Sequence, residues 1–256
     1  YPIAIDRFTS AIERDSQLTE AYADRCLVYL TIDRLPDAIA DCANAVMLSP
    51  ANVEANLNLG LARYRSGDFS GAIADFDRTI ALAPEDVRAY YNRGLAKLAI
   101  ADYTTAVADF DRALAAGLAL DDLQLTEMYA DRGLAYLMLE NWPAAIADLK
   151  QAIAFDPINV RAYYNRACAY HRSGNNRDAI MDFSRVLQLQ PDRAEAYANR
   201  GSIYFQIGQR QAAIQDLRAA AQVFFRQGAM MEYNRCSIRS NKCSYQVWRS
   251  GEFVGS

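Results

Sequence analysis

The chain has 256 residues, of which 52% are hydrophobic, with only 7 prolines and 12 glycines, and this composition favours a helical globular protein over a disordered one. The formal net charge is −4, so the chain lacks the positive excess that holds a nucleic-acid backbone. No run of about 18 apolar residues occurs, which predicts the absence of a membrane span.

The cysteines indicate neither a metal site nor a disulfide framework. Their number is odd, no Cys-x-x-Cys pair occurs, and a single histidine is present to join them. We therefore expect no metal and no cofactor. Reduced thiols in a cytoplasmic protein are expected at Cys26, Cys42, Cys168, Cys236 and Cys243.

The chain begins at Tyr1-Pro2 rather than at a methionine, and we expect a fragment or a processed chain. Residues 1–18 match the second half of a 34-residue repeat that recurs from here to residue 227. Without a preceding first helix to cover them, the side chains of Ile5, Phe8 and Ile12 are expected to be partly exposed to solvent. Three alternatives for what covers these side chains stay open: a missing upstream segment, a partner protein, or self-association of the chain.

Six full repeats of 34 residues follow this half repeat. The position of a residue within its repeat, numbered from the first residue of that repeat, is called its place. Each repeat is expected to form two helices, because its apolar residues recur at helical spacing and turn residues divide it. Five extra residues, 121–125, follow repeat 3, and Asp121 or Asp122 is expected to cap a first helix lengthened by more than a turn. Repeats 1 to 6 are residues 19–52, 53–86, 87–120, 126–159, 160–193 and 194–227.

The same places carry the same kinds of residue in phase. The fourth place is tyrosine in five repeats, the eighth is small, and the twentieth is alanine throughout. Small residues at the eighth and twentieth places let two antiparallel helices approach closely, while aromatic residues such as Phe76 and Phe110 fill the surrounding space. A single pair cannot bury its apolar face, so the pairs are expected to stack on one another.

This pattern resembles the tetratricopeptide repeat family, and the resemblance covers about residues 1–227. It implies an all-α fold, a right-handed α-α superhelix or solenoid of stacked antiparallel helix pairs. It also implies that the first helix of each pair lines a concave groove that binds peptides or other proteins.

A charged pair is predicted inside each repeat. Arginine occupies the seventh place in five repeats, on the buried stripe, and aspartate occupies the twenty-third place in all six. A buried guanidinium needs a carboxylate partner, so we expect these two side chains to bind each other. Repeat 2 has Leu59 at the seventh place, and its Asp75 is expected to pair with Arg78 or with an arginine of a neighbouring repeat.

The opposite face of the first helices gathers places 2, 5, 6, 9, 12 and 13, and we call it the first-helix face. A row of sixth-place amides can hold the main chain of an extended peptide, although the same amides can be solvated or bond within the array. The predicted partner-binding residues at the sixth place are Asn58, Asn92, Asn165, Asn199, Asp24 and Asp131. Those predicted around them are Tyr64, Tyr91, Tyr164, Arg65, Arg88, Arg161, His171, Arg172 and Phe205.

Charges of both signs alternate along this face, which favours a partner of mixed charge. The acids are Glu20, Asp24, Glu54, Glu127, Asp131 and Glu195. No phosphate-binding loop or catalytic motif is present, so no catalytic residue is predicted. At the end of the chain, residues 228–240 are predicted to form a capping helix and residues 241–256 an irregular tail.

The sequence therefore predicts a non-catalytic scaffold that binds an extended segment of another protein. The alternative is that the array is the targeting or regulatory part of a larger enzyme whose catalytic domain lies outside this chain. No nucleic acid is expected as a partner, and no membrane span is expected.

Overall fold

The computed structural model describes residues 1–115 and 120–228, and these residues form helices joined by short turns, with no strand within the two ranges. Each repeat contains a first and a second helix, and the half repeat contains one. In chain order the helices are α1 (Pro2–Arg14), α2 (Thr19–Thr31), α3 (Leu35–Leu48), α4 (Val53–Ser66), α5 (Phe69–Leu82), α6 (Val87–Ala99), α7 (Tyr103–Ala115), α8 (Asp122–Met138), α9 (Trp142–Phe155), α10 (Val160–Arg172), α11 (Asn176–Leu189), α12 (Ala194–Gln206) and α13 (Arg210–Arg226).

The helices fall into two compact bodies, whose described residues are 1–115 and 120–228. In the N-terminal body, α1 to α7, each helix packs against the next, and the first helices α2, α4 and α6 also contact one another in sequence. In the C-terminal body, α8 to α13, consecutive helices pack in the same way, and α8 also contacts α10. Each body is a stack of helix pairs, which confirms the predicted all-α helical-repeat fold class.

The small residue at the eighth place is required by the close approach of the two helices. A Cβ atom added to Gly60 on α4 would lie 2.6 Å from the ring of Phe76 on α5. Gly94 and Phe110 stand in the same relation, at 2.7 Å. These distances are far below van der Waals contact, so a larger side chain would push the helices apart. The eighth place therefore faces the twenty-fourth, 16 residues later.

Each first helix is followed, at the fifteenth place of its repeat, by a residue with left-handed backbone conformation. Glycine takes this conformation in three repeats, at Gly67, Gly174 and Gly208, as expected of a residue without a Cβ atom. In the other repeats the same conformation falls on Asp33, Ala101 and Glu140, with φ of 59°, 63° and 58°. The turns after three first helices thus contain a residue for which this backbone conformation is strained.

Replacing Ala101 with glycine is expected to raise the free energy of unfolding by up to about 1 kcal/mol. The left-handed conformation costs an L-residue roughly 1–2 kcal/mol, and the extra freedom of glycine in the unfolded chain offsets part of the gain. Chemical denaturation measures the change. The matched control Ala74→Gly, at an exposed position inside α5, is expected to destabilise by about 0.5–1 kcal/mol. Destabilisation of similar size by both variants would contradict strain at Ala101.

The lengthened first helix of repeat 4 is confirmed. Helix α8 has 17 residues, whereas the other first helices have 13 or 14. The side chain of Asp121 accepts a hydrogen bond from the backbone N–H of Gln124 at 2.8 Å. The Gln124 side chain accepts one from the N–H of Asp121 at 3.1 Å, which completes a capping box. Two otherwise unpaired backbone donors are satisfied in this way.

The prediction of reduced thiols is wrong for one pair of cysteines. Cys26 on α2 and Cys42 on α3 form a disulfide, and both residues are fully buried. They occupy the eighth and twenty-fourth places of repeat 1, which face each other in the neighbouring repeats as well. The disulfide therefore ties the first helix of repeat 1 to the second. Cys168 is buried and keeps its thiol.

Two further predictions concern the ends of the chain. On α1, Ile5 is half-buried and packs on the cluster around Cys26, while Ile3 is 70% exposed, so self-association through this helix stays a prediction. The capping helix predicted at residues 228–240 lies outside the described residues except for Gly228, and so does the tail predicted at 241–256. Among the helices that are described, none is long and apolar enough to cross a membrane.

Candidate partner-binding face

Ion pairs inside the repeats fix how each first helix is rotated. The seventh-place guanidinium binds the twenty-third-place carboxylate through two nitrogens, with N–O distances between 2.5 and 2.9 Å. The predicted pairs are confirmed as Arg25–Asp41, Arg93–Asp109, Arg132–Asp148, Arg166–Asp182 and Arg200–Asp216. Because these side chains point toward the second helix, the places on the other side of the first helix are left to form the first-helix face.

Repeat 2 lacks the seventh-place arginine and compensates within itself. The fully buried Asp75 binds Arg78, as predicted, at 2.6 Å. It also binds Arg63 at 2.6 Å, from the eleventh place, one turn farther along α4. Burial raises the pKa of Asp75, and the two arginines oppose that rise by stabilising the carboxylate.

The sixth-place amides do not share one environment. Asn58 on α4 and Asn92 on α6 are half-buried, and neither side chain forms a hydrogen bond within residues 1–115 and 120–228. The amide of Asn199 donates to the hydroxyl of Tyr164 at 2.8 Å. Asn165 is only 3% exposed. Open amides are therefore found on α4 and α6, and Asn165 does not offer the accessible amide that the sequence predicted.

The two sixth-place aspartates also differ. Asp24 on α2 is exposed, whereas Asp131 on α8 is 3% exposed and binds Arg161 of α10 at 2.6 Å. Arg161 also binds Glu127 at 2.8 Å. Burial raises the pKa of Glu127, and Arg161 opposes that rise. Asp131 is thus enclosed by an ion pair between neighbouring first helices.

A similar ion pair joins α4 to α6. Arg88 binds Glu54 at 2.6 Å and Asp86 at 2.8 Å, and its guanidinium lowers the pKa of Asp86. Arg88 and Glu54 both occupy the second place and are separated by one repeat length. The sequence predicts both charges on the first-helix face, whereas their pairing with each other was not predicted. The signal that identifies the pair is a separation of 34 residues between opposite charges at the same place.

Most of the predicted aromatic residues pack against the second helices. The rings of Tyr64 and Phe69 lie 5.6 Å apart, and those of Tyr91 and Phe110 lie 5.9 Å apart. Tyr164 is 1% exposed, because Phe183 packs on its edge and the Arg193 guanidinium lies 4.4 Å from its ring centre. The prediction that Tyr164 offers an exposed aromatic contact is therefore wrong.

The remaining predicted residues have separate surroundings. Phe205 on α12 is 56% exposed. Arg65 donates to the carbonyl oxygen of Leu30 at 2.8 Å and binds Asp33 at 2.9 Å, so it joins α4 to the end of α2. His171 Nδ1 lies 2.8 Å from Asn176 Oδ1, and Arg172 is half-buried beside it at the end of α10. Of this group, Phe205 offers an open apolar side chain.

Sequence profiles of a known family match most of the repeat region. A profile described as TPR repeat matches residues 133–174, and three described as tetratricopeptide repeat match residues 57–119, 160–193 and 194–224. The chain belongs to the tetratricopeptide repeat family. Membership of this family supports a role as a protein-interaction scaffold. Tetratricopeptide repeats are typically non-catalytic modules, and proteins that contain them bind other proteins or peptides.

Solved structures of tetratricopeptide repeat proteins share the fold. YrrB, reported as a TPR protein with an unusual peptide-binding site, is 20% identical with a TM-score of 0.62, and the match covers 76% of this chain and 97% of YrrB. MamA from Desulfovibrio magneticus RS-1 is 22% identical with a TM-score of 0.62, covering 68% and 96%. PilF from Pseudomonas aeruginosa is 15% identical with a TM-score of 0.69, covering 87% and 97%. These similarities show the fold alone. Comparison with curated proteins gives no match.

Proposed function

We propose that this tetratricopeptide repeat chain is a non-catalytic scaffold that holds an extended segment of another protein on its first-helix face. The observation that carries the proposal is the pair of open amides of Asn58 and Asn92. They occupy the same place on the contacting helices α4 and α6, and no group in the described residues uses their hydrogen-bonding capacity.

An amide provides one acceptor and two N–H donors, which match the N–H and C=O groups of an extended peptide. Recognition of the main chain fixes the direction of a bound segment without requiring particular side chains. Arg88 and Glu54, four residues before the two amides on their helices, bind each other, so the surface beside the amides carries no unpaired charge from these two residues. A segment bound here meets polar groups at Asn58 and Asn92 and apolar contacts at the ninth-place Leu61 and Leu95.

The Asn58→Ala/Asn92→Ala variant is expected to weaken peptide binding by about tenfold, since a typical hydrogen bond contributes roughly 0.5–1.5 kcal/mol. The ligands are short peptides selected from a random library displayed on phage against the full chain. Fluorescence anisotropy of the labelled peptides measures their affinity.

The matched control is Asn44→Ala. Asn44 is also half-buried and without a hydrogen bond in the described residues, but it lies on the second helix α3. Its loss is expected to leave affinity unchanged. Equal affinity of the double variant and the original chain would exclude the amides as ligands, and failure to select any peptide would refute the scaffold proposal for extended segments.

The disulfide bears on where the scaffold works. Disulfides persist in oxidising compartments and are rare where thiols are kept reduced. The Cys26–Cys42 bond therefore favours an oxidising compartment over the cytoplasmic location that the sequence predicts.

A further inference from the structure

In the C-terminal body, two carboxylates on the first helix α8 bind a guanidinium group from the next first helix, α10. Arg161, at the second place of α10, donates hydrogen bonds from Nη1 to Asp131 at 2.6 Å and from Nη2 to Glu127 at 2.8 Å. These carboxylates occupy the sixth and second places of α8. With the arginine seated, Asp131 is almost completely removed from water. The C-terminal body thus shows what such a pair of carboxylates binds.

Helix α2 carries the same two groups at the same two places, namely Glu20 and Asp24. The next first helix, α4, has Glu54 where α10 has Arg161, and the carboxylate of Glu54 binds Arg88. Neither Glu20 nor Asp24 forms an ion pair or a side-chain hydrogen bond within residues 1–115 and 120–228, and both are exposed. The α2 site therefore has the carboxylates of the α8 site without the arginine.

Helix geometry makes this pair of charges unfavourable by itself. Glu20 and Asp24 are four residues apart, so their carboxylates lie one above the other on α2, and like charges in this relation destabilise a helix. The position of Glu20 in the first turn is favourable for an acid because the helix dipole is positive there. That explanation does not extend to Asp24, which lies in the second turn.

An apolar surface adjoins the two carboxylates. Leu27, at the ninth place of α2, is 52% exposed and lies three residues beyond Asp24 on the same face. The ninth place of α4 is Leu61, which is half-buried against the core of repeat 1. Negative charge followed by apolar surface complements a segment in which a cation stands next to an apolar side chain.

We propose that Glu20 and Asp24 bind an arginine of the partner protein, whose neighbouring apolar side chain packs on Leu27. This proposal rests on the scaffold function and names the residue type that the N-terminal body selects. Arginine fits better than lysine because its planar group donates from two nitrogens in a fixed geometry, as Arg161 does with one nitrogen to each of two carboxylates. The partner's arginine takes the place that Arg161 holds in the C-terminal body.

The test uses the full chain and the peptides selected on it. Arginine is expected among the selected residues next to leucine, isoleucine or valine. Replacing that arginine by citrulline, which keeps the shape and removes the charge, is expected to weaken binding by about two- to fivefold. The variant Glu20→Gln/Asp24→Asn is expected to weaken the arginine peptide by a similar factor and the citrulline peptide hardly at all.

The control variant Glu13→Gln/Glu85→Gln changes the net charge of the N-terminal body by the same amount. Both residues are exposed, lie off the first-helix face, and have no ion pair in the described part of the chain. Affinity is expected to stay at the original value in this variant. A loss as large as that of Glu20→Gln/Asp24→Asn would mean a general charge effect and overturn the proposal.

The outcomes separate this proposal from the scaffold function. Peptides that depend on Asn58 and Asn92 but bind equally well with citrulline overturn the arginine site and leave the scaffold intact. If no peptide binds, both proposals fail. A thermal unfolding midpoint that falls further in Glu20→Gln/Asp24→Asn than in Glu20→Gln alone, which loses only the helix-dipole contact, would assign Asp24 to folding and would also overturn the site.

Discussion

Replacing Arg132 with alanine is expected to lower the free energy of unfolding by about 3–5 kcal/mol. Arg132 donates from Nε and Nη2 to the two oxygens of Asp148, both at 2.7 Å, and Asp148 is 6% exposed. Removing the guanidinium leaves a buried carboxylate without its partner, and the cost of that uncompensated charge exceeds the value of the pair itself. Urea denaturation followed by circular dichroism measures the loss.

Two matched variants identify the cause of the loss. Arg218→Ala removes an exposed arginine from α13 that has no ion pair in the described residues, and its effect is expected to stay within about 0.5 kcal/mol. Arg132→Met/Asp148→Leu replaces the pair by apolar side chains and is expected to recover much of the stability lost in Arg132→Ala. The buried-charge explanation fails if this double variant is less stable than Arg132→Ala.

Loss of the disulfide is expected to cost about 3 kcal/mol, since the bond closes a loop with a sequence separation of 16. The variant Cys26→Ala/Cys42→Ala and the reduced original chain are both expected to unfold at lower urea concentration than the oxidised chain. Reductant is expected to shift the original chain and to leave the double variant unchanged, because the variant has no bond to reduce there.

Mass spectrometry after alkylation provides the direct measurement. Peptides containing Cys26 and Cys42 are expected to resist alkylation in denatured, unreduced protein and to react after reduction. Cys168→Ala, which removes a buried thiol outside the disulfide, is the control for the loss of a core sulfur atom and is expected to cost about 1 kcal/mol. Alkylation of Cys26 and Cys42 without reduction would show that the bond is absent.

The ion pairs inside the repeats were predictable because a charge on a buried stripe needs a partner. Arginine at the seventh place and aspartate at the twenty-third satisfy that need in five repeats. In repeat 2 the sequence indicated Arg78 but missed Arg63. Arg63 lies four residues beyond Leu59, on the same stripe of α4, so helical periodicity contained the missing partner.

The number of cysteines and their spacing motifs do not indicate the disulfide. Their positions within the 34-residue repeat do. Places 8 and 24 face each other, as Gly60 and Phe76 show, and Cys26 and Cys42 occupy those places. Applying the repeat to the cysteines, as it was applied to the charges, would have predicted the bond.

The exposure of individual groups on the first-helix face was not predictable from periodicity. Tyr91 and Tyr164 both occupy the fifth place, yet Tyr91 is half-buried and Tyr164 is 1% exposed. Arg193 covers the ring of Tyr164, and Asn199 of the next repeat binds its hydroxyl. A repeat pattern shows which face a residue lies on, but its accessibility depends on which long side chains of its own and neighbouring repeats lie across it.

The burial of Cys26 and Cys42 restricts when their bond can form. Both residues are 0% exposed once α2 and α3 have packed, so an oxidant or an exchanging thiol cannot approach either sulfur in the finished pair. Oxidation therefore requires the two helices to be apart, either before repeat 1 has packed or during a local opening of it. A chain that folds before an oxidant is present keeps the thiols of Cys26 and Cys42 reduced. Their later oxidation to the disulfide then requires a local opening of repeat 1.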